Sequence, residues 1–193
     1  MSKNFVIIFL ALISFFAGCG FQIGPAFPKR DGRFFLAEQG YDESLIETVL
    51  TGGRLEHWQI VELSKSKSPD VRFLIARNCH LTHEEIDLFI KDSCPFVRSG
   101  AACNINLSVP QIERLLNDRS HTVYCKLAHN PSLSEEILLR IHKEHSPGLL
   151  YFAKNTNCPQ EIREQIRQSD DDLAKHHLAL SMRRKAREEK NAK

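Results

Sequence analysis

Hydrophobic and polar positions along residues 71–166 recur with a period of 25–26 residues. When the sequence is shifted against itself by 26 residues, valines, small residues, asparagines and large apolar residues fall into the same columns. The alanine column is Ala76, Ala102 and Ala128, continued by Ala153 at a shift of 25. The asparagine column, two positions later, is Asn78, Asn104, Asn130 and Asn155. A fixed period of this length is typical of a repeat architecture.

Two short helices are predicted in each repeat. Val71, Leu74 and Ile75 lie at i, i+3 and i+4 and so form one face of a first helix over 70–77. Residues 84–91 carry a second such stripe. The starts of the second helices are marked by the capping boxes Thr82 with Glu85 and Ser108 with Gln111. The pattern therefore predicts an all-α solenoid of stacked short helix pairs with a period of 25–26 residues.

The asparagine column has two interpretations. Asparagine just past a helix can adopt a left-handed turn and hydrogen-bond the carbonyl groups at the helix end, which is a structural role. Alternatively, Asn78, Asn104, Asn130 and Asn155 form a row of amides that contacts an extended peptide backbone. The sequence favours the structural role and leaves the peptide contact open.

The N-terminal segment predicts export. Residues 5–16 contain no charged side chain and follow Lys3, and such a run is too short to span a bilayer but fits the apolar core of a signal peptide. The small residues Ala17 and Gly18 come next, directly before Cys19. This arrangement resembles the signal of bacterial lipoproteins, which implies a covalent lipid on Cys19 and cleavage before it. The alternatives are a plain secretory signal with a chance cysteine and an uncleaved anchor.

The predicted organisation has four parts. Residues 1–18 are the signal peptide, and 19–33, rich in glycine and proline, are a flexible tether. Residues 34–181 form the solenoid, and 182–193 are a basic tail. Gly20 stands directly after the cysteine. With this residue, the resemblance to lipoproteins implies that the lipid anchors the protein in the outer membrane and that the folded domain faces the periplasm.

The repeats also resemble a known family of solenoids. The string V-R-x-x-x-A-x-N-x-x-L is similar to the leucine-rich repeat variant, a relative of the HEAT and armadillo repeats. The resemblance covers about 44–181 and implies a right-handed superhelix that binds other molecules without catalysing a reaction. Two features depart from the family pattern. The arginine after the column valine is present at Arg72 and Arg98 but is replaced by Tyr124 and Leu149, and the repeats run 26 residues instead of 24.

Composition supports a globular chain without pointing to nucleic acid. Hydrophobic residues make up 42% and charged residues 26% of the 193 residues, and 26 basic against 24 acidic side chains give a net charge of +2. The charge is uneven, because residues 34–181 carry an acidic excess and residues 182–193 a basic one.

Candidate chemistry is sparse. Cys79, His80 and His83 are the only local group with metal-binding side chains, and no fourth ligand is evident, so a solvated turn is the favoured interpretation. Five cysteines follow Cys19; Cys79 and Cys94 fall in predicted turns and are the disulfide candidates, whereas Cys103 and Cys158 fall at core positions. No G-x-S-x-G, H-E-x-x-H or glycine-rich phosphate loop is present, and we expect no enzymatic activity and no cofactor beyond the lipid.

Three functions compete at this point. The first is a membrane-anchored module that binds an unknown envelope protein or peptide and no nucleic acid. The second is a structural protein that stacks on itself through apolar ends, for which Leu178, Leu180, Phe34 and Phe35 are candidates. The third is a metal or redox protein that uses Cys79, His80 and His83.

Overall fold

The computed structural model describes residues 32–191, so Cys19 and the predicted signal peptide lie outside the described residues. Within 32–191 there are twelve helices and no strand, which confirms the all-α prediction. The chain divides into two compact units, the first ending at Leu55 and the second beginning at Glu56.

The first unit contributes α1 (Gly32–Glu38) and α2 (Glu43–Thr51). The helices of the second unit are α3 (His57–Ser64), α4 (Pro69–Ala76), α5 (His83–Ile90), α6 (Pro95–Ala102), α7 (Val109–Leu116), α8 (His121–His129), α9 (Glu135–His145), α10 (Leu149–Ala153), α11 (Gln160–Gln168) and α12 (Asp172–Asn191).

The first unit is a small helix pair. The side chain of Asp42 accepts a hydrogen bond from the Leu45 amide at 3.0 Å and so caps the start of α2. Gly52 ends α2 with φ of +67°, a left-handed conformation that glycine adopts without a steric penalty. Arg33 of α1 forms ion pairs with Glu43 and Glu47 of α2. These contacts position α1 against α2 over the buried Leu36 and Ile46.

The second unit is a stack of helix pairs in chain order. The pairs are α4 with α5, α6 with α7, α8 with α9 and α10 with α11, and each corresponds to one predicted repeat. The first helices α4, α6, α8 and α10 pack on one another in succession, and α3, α5 and α7 also pack in chain order. The predicted architecture of stacked helix pairs at a 25–26-residue period is therefore confirmed.

The predicted helix starts are also present. Pro69 and Pro95 occupy the first turns of α4 and α6, where a missing amide proton has no cost. Both predicted capping boxes form, Thr82 with Glu85 and Ser108 with Gln111. These local signals set where each helix begins and thus fix the spacing of the stack.

The core is built from the repeat columns. Every member of the alanine column is fully buried, because large side chains there would separate the stacked helices. At Gly100, α6 approaches α4 closely. A Cβ atom added there would lie 2.8 Å from the ring atom Cδ2 of Phe73 and 3.0 Å from the Phe73 carbonyl oxygen. Glycine at this position therefore allows α6 to lie directly against α4.

The C-terminal end of the second unit is closed by α12. This helix packs against α10 and α11 and continues without interruption from Asp172 to Asn191, across the boundary predicted at residue 181. Leu178 is buried in this packing, whereas Leu180 is 41% exposed. In the first unit, Phe34 is 47% exposed, and the side chain of Phe35 lies outside the described part of the structure.

Candidate functional site

A polar ladder joins the first helices of successive repeats. Asn104 donates from its side-chain nitrogen to the carbonyl oxygens of Ala76 at 3.1 Å and Asn78 at 2.9 Å. Asn130 makes the same two bonds to Ala102 and Asn104, and Asn155 to Ala128 and Asn130, at 2.8–2.9 Å. Each amide thus binds the helix end of the preceding repeat, where carbonyl groups have no partner within their own helix.

The same side chains also order their own turns. The side-chain oxygens of Asn78, Asn104, Asn130 and Asn155 each accept a hydrogen bond from the backbone amide two residues later. All four residues are buried. In Asn104, Asn130 and Asn155 both amide hydrogens are engaged by protein carbonyls, so a bound peptide backbone would reach them only by displacing those bonds. The predicted peptide contact stays untested, and the structural role is the one that the geometry describes.

The ladder ends at Ser181 in α12. Its hydroxyl donates to the Ala153 carbonyl oxygen at 2.8 Å, 28 residues back, which is also the separation between Asn104 and Ala76. Ser181 is 3% exposed. The serine thus takes the place of the asparagine where the helix continues and no turn follows.

Two half-buried ion pairs close the first and second helix pairs of the stack. Arg72 binds both carboxylate oxygens of Asp92, at 2.7 and 3.1 Å, and Arg98 binds those of Asp118 in the same way, at 2.5 and 3.0 Å. Burial alone would raise the pKa of Asp118, but the hydrogen bonds from Arg98 and from the Ser120 amide hold it below its usual value. Each pair links the first helix of a repeat to the end of its second helix.

Each of these arginines also reaches into the preceding repeat. Arg72 donates to the Ser66 carbonyl oxygen at 2.6 Å, and Arg98 donates to that of Asp92 at 2.9 Å. In the next repeat Tyr124 replaces the arginine and stacks on His145, with 3.7 Å between ring centroids. The third repeat therefore has an aromatic contact at the position where the first two have an ion pair.

The predicted metal candidates do not converge on a centre. His80 and His83 are exposed, and Cys79 is half-buried. Across residues 32–191, no group of three or more histidine, cysteine, aspartate or glutamate side chains is placed to hold a metal ion. Within residues 32–191, Cys79 and Cys94, the two disulfide candidates, are not bonded to each other.

The core prediction for the cysteines holds for Cys158, which is fully buried and whose pKa is raised by that burial to about 12. Cys103 is half-buried rather than enclosed, although burial of its thiol still raises its pKa. Cys125, which the sequence did not single out, is buried. These thiols are protonated at neutral pH and are poor nucleophiles.

Cationic and imidazole side chains lie in the last turns or at the C-caps of α4, α8 and α10, and on α12. We call this set the basic strip. Its members are Arg77, Lys126, His129, Lys154, His177 and Arg184. Burial, and then the charges of Lys126, Lys154, Arg184 and Arg77, lower the pKa of His129 to about 4. Burial and the charge of Lys154 also lower the pKa of His177. These charges act against protonation of both imidazoles.

Sequence reasoning missed the basic strip, although a signal was present. The position immediately before the asparagine column contains Arg77, Cys103, His129 and Lys154. Three of these four are basic or imidazole side chains, and a column in a stacked repeat forms a line on the surface. The column is visible in the sequence, but its positive charges were counted together with all other charges of residues 34–181, which have an acidic excess.

The depressed pKa of His129 predicts that acid destabilises the fold. In the unfolded chain this imidazole takes up a proton near pH 6.5, whereas in the folded chain it does so near pH 4, so the unfolded state binds more protons in between. We expect the free energy of unfolding to fall by about 2 kcal/mol between pH 7.5 and 5 through this group. Denaturant titrations of the full-length protein in nonionic detergent at both pH values measure the change.

Two variants test the assignment to His129. The His129→Gln variant should lose much less free energy of unfolding between pH 7.5 and 5 than the parent protein does. The His80→Gln variant, changed at an exposed turn, should lose as much as the parent protein. An equal pH dependence in His129→Gln and the parent protein would contradict the assignment. The pKa values of the Asp87 and Asp118 carboxylates are lowered, so their contribution to the free energy of unfolding is lost only at lower pH.

Comparisons with protein-family models, with curated proteins and with solved structures give no match in any of the three. The resemblances to bacterial lipoproteins and to the leucine-rich repeat variant therefore remain predictions. In the part of the chain that the structure describes, no helix combines the length and the apolar character needed to cross a membrane.

Proposed function

We propose that this protein is a lipoprotein of the bacterial envelope whose helical repeats bind another protein. The observation that carries the proposal is the stack of four helix pairs joined by the polar ladder. Stacked repeats offer a long, continuous surface because each unit contacts only its neighbours. A surface of this kind suits a macromolecular partner better than a small molecule.

The polar groups within the stack support binding over catalysis. A shallow pocket of about 160 Å³ lies between α5 and α7 and is smaller than usual ligand sites. Gln111 in this pocket already donates to the His83 carbonyl and to Asp87, and Arg114 pairs with the same carboxylate. These side chains hold neighbouring repeats together and are not arranged around a substrate.

A lipid on Cys19 would set the place of action. Several acyl chains hold a protein on a membrane far more firmly than one, since each buried methylene adds about 0.8 kcal/mol. Because α1 begins at Gly32, residues 20–31 would then let the folded body move over roughly 40 Å from the lipid when extended. We propose an outer-membrane location facing the periplasm on the basis of Gly20 after the cysteine.

Crosslinking in the native membrane tests this function. We expect the full-length protein to fractionate with membranes, and a short chemical crosslinker to capture one recurring envelope protein. Cys19→Ala should release the chain from the membrane fraction and abolish the capture, whereas Cys79→Ala, a matched cysteine variant in a half-buried turn, should change neither. Membrane retention of Cys19→Ala, or no captured neighbour in any condition, would overturn the proposal.

A further inference from the structure

Helix α12 continues well beyond its last buried side chain. Ser181 is 3% exposed and bonds to the Ala153 carbonyl oxygen, whereas the residues over 183–191 are exposed, apart from the half-buried Lys185. We call the segment 182–191 the arm. At about 1.5 Å per residue the arm is a helix roughly 15 Å long. It adds little to the buried core of the second unit and turns most of its side chains to the solvent.

The buried and exposed sides of α12 are distinct. The buried side consists of Ala174, Leu178 and Ser181. Helix positions three, four and seven residues apart share one side, and such a row runs along the exposed side of α12. We call this row the outer stripe, and its members are Leu173, Leu180, Arg183, Arg187 and Lys190. All five are exposed, so two leucines and three cations share one solvent-facing row.

The cations of the outer stripe have no partner in the fold. Within residues 32–191, the side chains of Arg183, Arg187 and Lys190 form no ion pair and no hydrogen bond. The two acidic residues of the arm are Glu188 and Glu189. Because successive helix residues are rotated by about 100°, each of these acids is turned by at least that angle from all three cations. The outer stripe therefore presents positive charge with no acidic side chain among its members.

We propose that the outer stripe lies on the anionic headgroups of a phospholipid bilayer. The inference rests on the proposed function, because a lipid on Cys19 would keep a bilayer close to the folded domain. Negative lipid headgroups attract basic side chains near a membrane surface, and a guanidinium can donate two parallel hydrogen bonds to one phosphate. Leucines beside these cations enter the boundary between headgroups and acyl chains. A single straight helix offers a row of side chains, which fits a planar surface.

The single tryptophan of the chain makes this contact measurable. Trp58 is 67% exposed, so Trp58→Phe removes it at little cost, and Leu180→Trp then places the only tryptophan on the outer stripe. The full-length protein would be reconstituted from nonionic detergent into vesicles of equal parts phosphatidylcholine and phosphatidylglycerol with brominated acyl chains. We expect the emission to shift to shorter wavelength and to be quenched. Both effects should be absent with phosphatidylcholine alone and should weaken as salt rises.

A second tryptophan position provides the control for proximity. Leu88 on α5 is 42% exposed, which matches the 41% of Leu180. In the same Trp58→Phe background, Leu88→Trp should be neither shifted nor quenched by the phosphatidylglycerol vesicles. Quenching of Leu88→Trp as strong as that of Leu180→Trp would show that the bilayer does not select the outer stripe.

Charge variants test the role of the cations. Replacing the three cations of the outer stripe together with glutamine should abolish the quenching of Leu180→Trp. Replacing Lys65, Arg119 and Lys143 with glutamine removes the same charge at other exposed positions and should leave the quenching unchanged. Arg183→Lys combined with Arg187→Lys keeps the charge and should retain the quenching. Equal effects of the two glutamine triplets would overturn the inference.

Other occupants of the outer stripe give different results. A spectral shift of Leu180→Trp that depends on protein concentration and not on phosphatidylglycerol would assign the stripe to a second copy of the chain. A shift that requires the crosslinked envelope neighbour would assign it to that protein, and either result overturns the inference. If the protein floats with phosphatidylcholine vesicles through its lipid but Leu180→Trp is not quenched by phosphatidylglycerol vesicles, this inference fails while the anchor stands. If the protein has no lipid anchor, the proposed function fails, and the quenching by added phosphatidylglycerol vesicles still decides this inference.

Discussion

Replacing Asn130 with alanine is expected to lower the free energy of unfolding by about 2–4 kcal/mol. The change removes two hydrogen bonds to the carbonyl oxygens of Ala102 and Asn104, at 2.9 and 2.8 Å, and leaves these groups without that donor in a buried position. It also removes the acceptor for the Ser132 amide. Denaturant-induced unfolding of the full-length protein, followed by circular dichroism, measures the loss.

A matched asparagine separates this effect from a general loss of side chains. Asn117 is exposed and donates only to the Glu113 carbonyl within its own helix, so Asn117→Ala should have a much smaller effect. Asn130→Ser should recover part of the loss, because Ser181 satisfies the equivalent carbonyl with a hydroxyl. Equal losses in Asn130→Ala and Asn117→Ala would show that the ladder does not join the repeats.

Arg98→Met is expected to cost about 3 kcal/mol. The side chains of Arg98 and Asp118 are 17% and 8% exposed, so removal of the guanidinium leaves a carboxylate largely buried without its partner. The variant also loses the bond from Arg98 to the Asp92 carbonyl in the preceding repeat. Thermal and denaturant unfolding should both report the loss.

The carboxylate left behind provides the control. Adding Asp118→Asn to Arg98→Met removes the unpaired charge but keeps an oxygen for the Ser120 amide, so the double variant should be more stable than Arg98→Met alone. Arg114→Met breaks an ion pair whose arginine is 52% exposed, and its effect should be much smaller. A double variant less stable than Arg98→Met would contradict the assigned cause.

The repeat and its helices were predictable because their signals are local. Periodic apolar residues, prolines in first turns and the two capping boxes each act within one helix or its first turn. The alanine column was equally clear, because a small residue repeated at one position of a stack has a packing reason. The all-α architecture follows from these signals without knowledge of the three-dimensional structure.

The contacts between repeats were not predictable in the same way. The sequence placed the asparagines at helix ends, but it did not show that Asn104 binds the end of the helix in the preceding repeat. Arg98 and Asp118 lie 20 residues apart, and only the packing of two helices brings them together. Ser181 was also missed as a ladder residue, because its role depends on where α12 packs and not on its own sequence context.

The basic strip is a second feature that the sequence did not predict, and the reason here is electrostatic. Charge counted along the chain gives an acidic body, whereas the fold gathers Lys126, Lys154 and Arg184 around one imidazole. A sum over residues carries no information about which side chains share a surface. The column position before each ladder residue is the one sequence signal that does.

The most direct test of the account is site-specific photo-crosslinking in intact cells. A photoreactive amino acid would replace Arg77, Cys103 or Lys154 in turn, each at the C-terminal end of a different first helix. Because stacked repeats present one continuous surface, all three positions should capture the same envelope protein, and Lys143 on α9 should not. Capture of nothing, or capture from Lys143 as efficiently as from the other three positions, would contradict a repeat stack that serves as a binding surface.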